Sequence, residues 1–282
     1  MLATLADVLP KAQKAKYAVG LFNSVNMELA RGILSAAEKT GSPVIIGTAE
    51  IFLPLSPLEE LSYLLLPMAK KASVPVVVHL DHGLTEENCR RALELGFTSI
   101  MFDCSREPYE KNVAMTKEMA LLAHSFGASI EGELGSIGSN DDSLEDAEAA
   151  GVGCFTDPEQ ARDFAQRTGV DALAIAVGTA HGSYKLPPKL DFDLIEAIRR
   201  TIDTPLVLHG GSGLTDDDFR KAVNCGISKI NIFTDLDIAA ERAAQQSFKN
   251  HPNSLVRSLP AVVEAVERET MKKMKLFGLA KF

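Results

Sequence analysis

The chain has 282 residues, of which 46% are hydrophobic, and it carries a net charge of −9 with a pI near 5.2. This composition suits one large domain, and the acidic balance argues against a basic face for nucleic acid, because clustered Lys and Arg bind phosphate backbones. No apolar run approaches the roughly 18 residues of a membrane span, and segment 1–20 lacks the apolar core of a signal peptide. The cysteines form no C-x-x-C pair. We therefore expect a cytoplasmic protein with reduced thiols that binds neither nucleic acid nor membrane.

Eight short apolar runs, often β-branched, follow one another along the chain. They lack polar alternation, as expected of parallel strands covered on both faces. The runs span residues 18–23, 44–48, 76–81, 99–103, 129–134, 172–178, 206–209 and 229–233.

Amphipathic stretches between these runs predict helices, for example over 26–40, 85–95 and 216–225. Their starts carry Asn, Thr or Asp, which cap helices or favour the first turn. Eight strand–helix units without a linker favour an α/β fold of the (β/α)₈ TIM-barrel type over a doubly wound sheet, as a single domain over 1–282. Extra C-terminal helices are expected after residue 238, where they would close the barrel floor or join subunits, and 262–276 is interpreted as a solvated helix face.

Segment 136–156, after the fifth run, is polar and rich in glycine. It is too long for a plain connection, so we expect a mobile loop over an active site.

Barrel enzymes place their chemistry at the carboxyl ends of the strands, and four of the six histidines lie in those ends or directly after them. A lone histidine is usually a core or surface residue. However, His82, His181 and His209 come from three separate strand ends, and three imidazoles with one open position are typical of catalytic zinc. His79 alternates with Asp81 and is assigned to the barrel interior.

A phosphate site is predicted beside this metal. The recurring phosphate site of these barrels uses the loops after strands seven and eight and a helix N-terminus. The corresponding residues are Gly210, Gly211 and Ser212 after strand seven, and Asn231, Ile232, Phe233 and Thr234 after strand eight. The alternative interpretation is a plain tight turn.

Seven motifs together resemble the class II ketose-bisphosphate aldolases, the fructose- and tagatose-bisphosphate aldolase family. They occur in the family's order over nearly the whole chain. They are FNSVNME at 22–28, HLDHG at 79–83, EGELG at 131–135, GTAHGSY at 178–184, KLDFD at 189–193, HGGSG at 209–213 and NIFTD at 231–235.

The resemblance implies a lyase whose zinc ion is held by His82, His181 and His209 and stabilises the charge that forms when the C3–C4 bond breaks. It implies that Asp81 exchanges a proton with the C4 hydroxyl, and that Asp103 and Glu133 serve a second metal position or support the site. Substrate-binding positions that it implies are Asn23, Gly182, Gly210, Gly211, Ser212, Asn231, Ile232, Phe233 and Thr234. A monovalent cation (Na⁺ or K⁺) near the phosphate and a homodimer or homotetramer are also familiar in this family.

Three positions depart from the family pattern. Asp237 stands where members that take bisphosphates carry Arg or Lys, and Ala49 aligns with a serine that reaches the distal phosphate. The loop glutamate proposed to move the dihydroxyacetone phosphate proton corresponds to Asp141, with Asp142 adjacent. A carboxylate at 237 would repel a second phosphate. The predicted substrate is therefore a phosphorylated sugar of the ketose 1-phosphate type, giving dihydroxyacetone phosphate and an unphosphorylated aldehyde.

Two alternatives remain open at this point. One is a true fructose- or tagatose-1,6-bisphosphate aldolase that uses Arg257 or a neighbouring subunit for the second phosphate. The other is a non-catalytic subunit that binds metal or phosphate, although it would not need Asp81. The Schiff-base mechanism is disfavoured, because strand six has no lysine, Lys185 lies in a loop, and Lys229 is placed at the wrong end of strand eight.

Overall fold

A closed parallel barrel forms the centre of the protein, as seen in a computed structural model that describes residues 1–135, 155–179 and 188–279. Strands β2 to β9 pair in chain order, and β2 also pairs with β9, which closes eight strands. The short β1 adds to the start of β4, with Leu2 opposite Val76. The strands are β1 (Leu2–Ala3), β2 (Val19–Asn23), β3 (Val44–Ala49), β4 (Val76–Gly83), β5 (Ser99–Phe102), β6 (Ser129–Leu134), β7 (Ala172–Ile175), β8 (Leu206–Leu208) and β9 (Ile227–Ile232).

Helices alternate with these strands, so the predicted (β/α)₈ barrel is confirmed. The predicted caps are also present, since the side chains of Asn26 and Thr85 accept hydrogen bonds from backbone N–H groups three residues later. The helices among the described residues are α1 (Leu5–Ala15), α2 (Met27–Thr40), α3 (Leu58–Lys71), α4 (Glu86–Leu95), α5 (Tyr109–Ser125), α6 (Pro158–Thr168), α7 (Phe192–Thr201), α8 (Asp216–Cys225), α9 (Thr234–Asn250) and α10 (Leu259–Leu276), with a 3₁₀ turn at Glu50–Phe52. None of them is long and apolar enough to cross a membrane.

The floor of the barrel is closed by α1, not by the C-terminal tail. Leu5, Val8, Leu9 and Ala12 of this helix pack against the inward-facing apolar side chains at the lower ends of the strands. The tail instead forms α9 and α10, and α10 packs on the outside against α2 and α9. The expectation of a solvated face over 262–276 was wrong for the inner side of α10, which buries residues such as Val266 and Met274.

Every second residue of the barrel strands points inward, and the character of these side chains changes with height. The lower positions are apolar and include Leu21, Ile45, Val77 and Val207. The upper positions are polar or charged and fully or nearly buried: Asn23, His79, Asp81, Ser99, Glu131, His209, Lys229 and Asn231. This polar layer leads to the rim where the carboxyl ends of the strands meet.

Candidate active site

Two histidines from different strands meet at this rim. His82 lies near the end of β4 and His209 directly follows β8. His82 Nε2 and His209 Nδ1 are 2.8 Å apart. His82 has a φ of 43°, at a bulge where the register between β4 and β5 shifts. Positive φ is uncommon for residues other than glycine, and such backbone strain clusters at functional sites.

Each imidazole is oriented by a carboxylate at its other nitrogen. Asp103 Oδ2 lies 2.9 Å from His82 Nδ1, and Glu131 Oε1 lies 2.7 Å from His209 Nε2. Such carboxylate–histidine pairs fix the ring and its tautomer in metal sites. The arrangement directs His82 Nε2 and His209 Nδ1 toward a common point.

Two overlapping groups of side chains could hold a metal ion. The potential ligand atoms of Asp81, His82 and His209 lie within 4.8 Å of one another, and so do those of His82, Asp103 and Glu133. All five were predicted from sequence as metal ligands or proton-transfer groups. The predicted third histidine, His181, lies outside the described residues, as do Gly182 and Asp141.

The carboxylate of Asp81 is held by two side-chain amides. Asn23 Nδ2 donates to Oδ2 at 2.7 Å, and Asn231 Nδ2 donates to Oδ1 at 2.9 Å. Burial raises the pKa of Asp81, but the neighbouring positive charges, first of all that of His82 and also that of Lys229, outweigh burial and hold this pKa well below its usual value. Asp81 is therefore ionised at neutral pH and able to accept a proton.

A small cavity beside Asp81 brings together the described residues that were predicted to bind substrate. Gly211 packs closely on β9, because a Cβ there would lie 2.9 Å from Ile230 Cγ2 and 3.0 Å from the carbonyl oxygen of Asn231. The N-terminus of α9 begins here, and the N–H of Asp235 donates to Ser212 Oγ at 3.4 Å. Backbone N–H groups at a helix start favour an anion. The cavity is lined by Asn23, Asp81, Gly210, Gly211, Ser212, Asn231, Ile232, Phe233 and Thr234.

Comparison with known proteins identifies the family of this chain. The sequence profile described as class-II fructose-bisphosphate aldolase matches residues 3–281. The chain belongs to the class II fructose-bisphosphate aldolase family. It is therefore an aldolase, a carbon–carbon lyase.

The relatives of this aldolase cover nearly its whole length. The uncharacterised protein YdjI of Escherichia coli K12 is 39% identical, over 99% of this chain and 98% of its own. The crystal structure of the YdjI aldolase superposes with a TM-score of 0.89, at 37% identity over 100% of this chain and 99% of that one. The fructose-bisphosphate aldolase of Geobacillus stearothermophilus is 37% identical, over 98% of this chain and 97% of its own.

The acid–base state of the aldolase's histidine pair follows from the surrounding carboxylates. Burial lowers the pKa of His82, but Asp81, Asp103 and Glu133 outweigh it and raise this pKa to about 10 before a metal binds. Burial, followed by the charge of His82, lowers the pKa of His209. His82 thus carries the proton between the two rings, and a metal must displace it to bind both nitrogens.

A buried ion pair below the histidines was missed in the sequence analysis. Lys229 Nζ lies 2.8 Å from Glu131 Oε2, with both side chains fully buried, and it donates to Asn231 Oδ1 at 2.7 Å. Burial raises the pKa of Glu131, but Lys229 and His209 outweigh it and lower this pKa to about 2. Because β9 begins at Ile227, Lys229 lies inside the barrel and not at its start. Lys229 is two residues before Asn231, and residues at this spacing in a strand point to the same side, so the sequence could have indicated that Lys229 faces the barrel interior.

The rim between β3 and β9 carries apolar side chains and one exposed carboxylate. Ala49 pairs with Asp81 across the strands, and the rings of Phe52 and Phe233 lie 4.7 Å apart. Asp237 is exposed in the first turn of α9. Arg257, one candidate cation for a second phosphate, follows the far end of α9. The carbonyl oxygen of Arg257 accepts a hydrogen bond from Ser247 Oγ at 3.3 Å, which places its backbone about 20 Å from the start of that helix along the axis.

The segment after β3 is tied to the backbone that follows His82. The Glu50 carboxylate accepts hydrogen bonds from the N–H groups of Leu84 at 2.7 Å and Thr85 at 3.2 Å, and from the Thr85 hydroxyl at 3.0 Å. The neighbouring side chain of Ile51 is 67% exposed. Glu50 therefore anchors this part of the rim, whereas Ile51 faces solvent.

Proposed function

We propose that this class II aldolase is zinc-dependent and reversibly cleaves a ketose 1-phosphate into dihydroxyacetone phosphate and an unphosphorylated aldehyde. The supporting observation is that the two sides of the barrel rim carry different groups. The histidine pair, Asp81 and a cavity suited to one phosphate lie together on one side. The rim between β3 and β9 offers an exposed carboxylate and two aromatic rings instead of a second phosphate site.

The donor set fits zinc. His82 and His209 present one nitrogen each, with the opposite nitrogen facing a carboxylate, and His181 is the proposed third ligand. A bound zinc ion would supply Lewis-acid stabilisation of the negative charge that develops on the substrate oxygens. Asp103 and Glu133, which lie within reach of His82, are proposed as a second metal position. A monovalent cation near the phosphate stays a prediction.

Asp81 is the proposed proton acceptor for cleavage. Its ionised carboxylate takes the proton of the C4 hydroxyl, the C4 oxygen becomes the aldehyde carbonyl, and the electron pair of the C3–C4 bond passes to C3. C3 then takes up a proton, which we assign to Asp141 or the adjacent Asp142. Asn23 and Asn231 keep Asp81 oriented through both carboxylate oxygens.

The C1 phosphate is assigned to the cavity at the start of α9. Backbone N–H groups near the start of α9, the hydroxyl groups of Ser212 and Thr234, and the helix dipole together suit one dianion. The position of this cavity beside Asp81 would bring the C3–C4 bond of a ketose 1-phosphate to the carboxylate.

The preference for an unphosphorylated aldehyde is the sharpest part of the proposal. A charge-assisted hydrogen bond to an anion contributes about 1.5–3 kcal/mol, so losing one lowers affinity roughly ten- to a hundredfold. Asp237 adds repulsion, and Ala49 offers no hydroxyl beside Asp81. Comparing kcat/KM for fructose 1-phosphate with that for fructose 1,6-bisphosphate tests this, and a clearly faster bisphosphate reaction would refute it.

A true bisphosphate aldolase is the second candidate. The name of the 37% identical Geobacillus stearothermophilus relative favours it, and Arg106 is an exposed cation in the loop after β5. If Arg106 binds a second phosphate, Arg106→Ala should lower kcat/KM for the bisphosphate alone. An equal effect of that variant on both substrates would show that Arg106 does not bind a second phosphate.

A non-catalytic subunit is distinguished by a chelation test. Activity lost on removing metal and recovered with added zinc supports the zinc-dependent enzyme. No turnover of any ketose phosphate with zinc fully loaded would favour the scaffold.

A further inference from the structure

Lys229 carries a buried ammonium group that contacts two side chains, one beside the proposed metal site and one beside the proposed proton acceptor. One contact is the ion pair with Glu131 Oε2, and the other is the hydrogen bond to Asn231 Oδ1. Glu131 in turn contacts His209, and Asn231 contacts Asp81. Lys229 is therefore linked through Glu131 to His209, a proposed metal ligand, and through Asn231 to Asp81, the proposed proton acceptor.

The hydrogen bond from Lys229 decides which way the Asn231 amide points. An ammonium group has donors only, so the atom of Asn231 that faces it must be the amide oxygen. The amide NH₂ group then points to Asp81 Oδ1, 2.9 Å away. A reversed amide would set its oxygen against the Asp81 carboxylate and lose both contacts.

The Glu131 carboxylate sets which nitrogen of His209 carries a proton, and the ion pair with Lys229 holds this carboxylate in place. With Oε2 of Glu131 turned to Lys229, Oε1 lies 2.7 Å from His209 Nε2 and can only accept a hydrogen bond. His209 is then protonated at Nε2, and Nδ1, which faces His82, keeps its lone pair. A metal ligand needs that lone pair.

We propose that Lys229 is a positioning residue that fixes the orientation of the Glu131 side chain and of the Asn231 amide. It thereby holds an acceptor atom of residue 131 on Nε2 of His209 and the amide NH₂ group of Asn231 on Asp81. This inference deepens the proposed function and rests on its assignment of His209 as a metal ligand. Lys229 itself touches neither metal nor substrate in this assignment.

The proposal makes an unusual prediction for Glu131→Gln. With Lys229 present, the ammonium group binds the amide oxygen of Gln and turns the NH₂ group toward His209 Nε2. His209 must then accept at Nε2 and carry its proton at Nδ1, where zinc would bind. Adding Lys229→Met removes this constraint, so that the amide can rotate and present its oxygen to His209. The second substitution should thus restore zinc binding that the first one weakens.

The experiment measures the zinc Kd of the purified, metal-stripped full chain by competition with a chelating indicator, for wild type, both single variants and the double variant. We expect Glu131→Gln to weaken zinc binding about 10–100-fold, the range for groups that orient a metal ligand. The double variant should recover at least about tenfold of this loss. Nitrogen-15 spectra of the histidines, assigned with a His209→Gln variant, should show protonation at Nε2 in wild type and at Nδ1 in Glu131→Gln.

Thermal unfolding of each metal-stripped variant separates positioning from loss of folding. Leu9→Ala, a fully buried position in the floor helix α1, serves as a destabilised control. It should lower Tm and leave the zinc Kd unchanged. A double variant that binds zinc no more tightly than Glu131→Gln, with both variants folded, overturns the role of Lys229. A wild-type protein that binds no zinc overturns the proposed function instead.

Discussion

The lower and upper halves of the barrel interior use the same inward-facing strand positions but hold opposite kinds of side chain. Below, residues such as Leu21, Ile45 and Val77 pack against α1 in an apolar plug. Above, Glu131 and Lys229 are equally buried but charged. Buried ion pairs seldom add net stability, because desolvation offsets their attraction. Apolar packing in the lower half and the outer layer therefore stabilises the fold, whereas the upper half holds costly groups in fixed directions.

The largest expected effect comes from the proton acceptor in the upper half. Asp81→Asn keeps the size of the side chain but removes its charge, so turnover should fall about 10²–10⁴-fold, the range for an acid–base group. Zinc content and Tm should change little. Steady-state kinetics with metal analysis checks this, and unchanged turnover would remove Asp81 from the proposed mechanism.

The lower half should respond in the opposite way. Leu9→Ala removes a fully buried side chain from the floor, and such changes lower the free energy of unfolding by about 2–5 kcal/mol. Below its Tm the variant should keep the kcat/KM of wild type. Chemical denaturation and kinetics on the same sample test whether the lower half serves stability alone. A loss of activity while the protein is still folded would contradict this.

A smaller effect is expected at the rim. Asp237→Arg replaces an exposed carboxylate with a cation, and kcat/KM for fructose 1,6-bisphosphate relative to fructose 1-phosphate should rise about ten- to a hundredfold. Asp203→Arg is a matched control, because Asp203 is an exposed carboxylate just before β8, at the opposite end of the barrel. Equal shifts in both variants would show that only net charge matters.

The smallest effect, per unit of the variable changed, concerns pH. The pKa of His82 is raised to about 10 before metal binds, so at neutral pH zinc must displace a proton. The apparent zinc affinity should therefore rise with pH between about 6 and 8, by roughly tenfold per unit for one proton displaced. Titration at several pH values measures the slope, and a flat profile would contradict a charged His82.

Sequence alone predicted the upper rim better than the interior beneath it. Strands buried on both faces are continuously apolar, so their ends, and with them His82, His209 and Asp81, could be located. The Lys229–Glu131 pair was missed because its members come from strands that are far apart in the chain and meet only across the closed barrel. The floor role of α1 was missed for a related reason. An amphipathic helix shows that it packs, but not what it packs against.

The contacts of Glu50 have a consequence for divergence among such enzymes. Its carboxylate joins the segment after β3 to the backbone following His82, while Ile51 and Leu55 are 67% and 73% exposed. Glu50 thus holds this segment in place, while the side chains of Ile51 and Leu55 face solvent. Substitutions at Ile51 or Leu55 would therefore change the surface of the rim without displacing His82, so this surface can diverge among relatives while the backbone that carries the histidine stays in place.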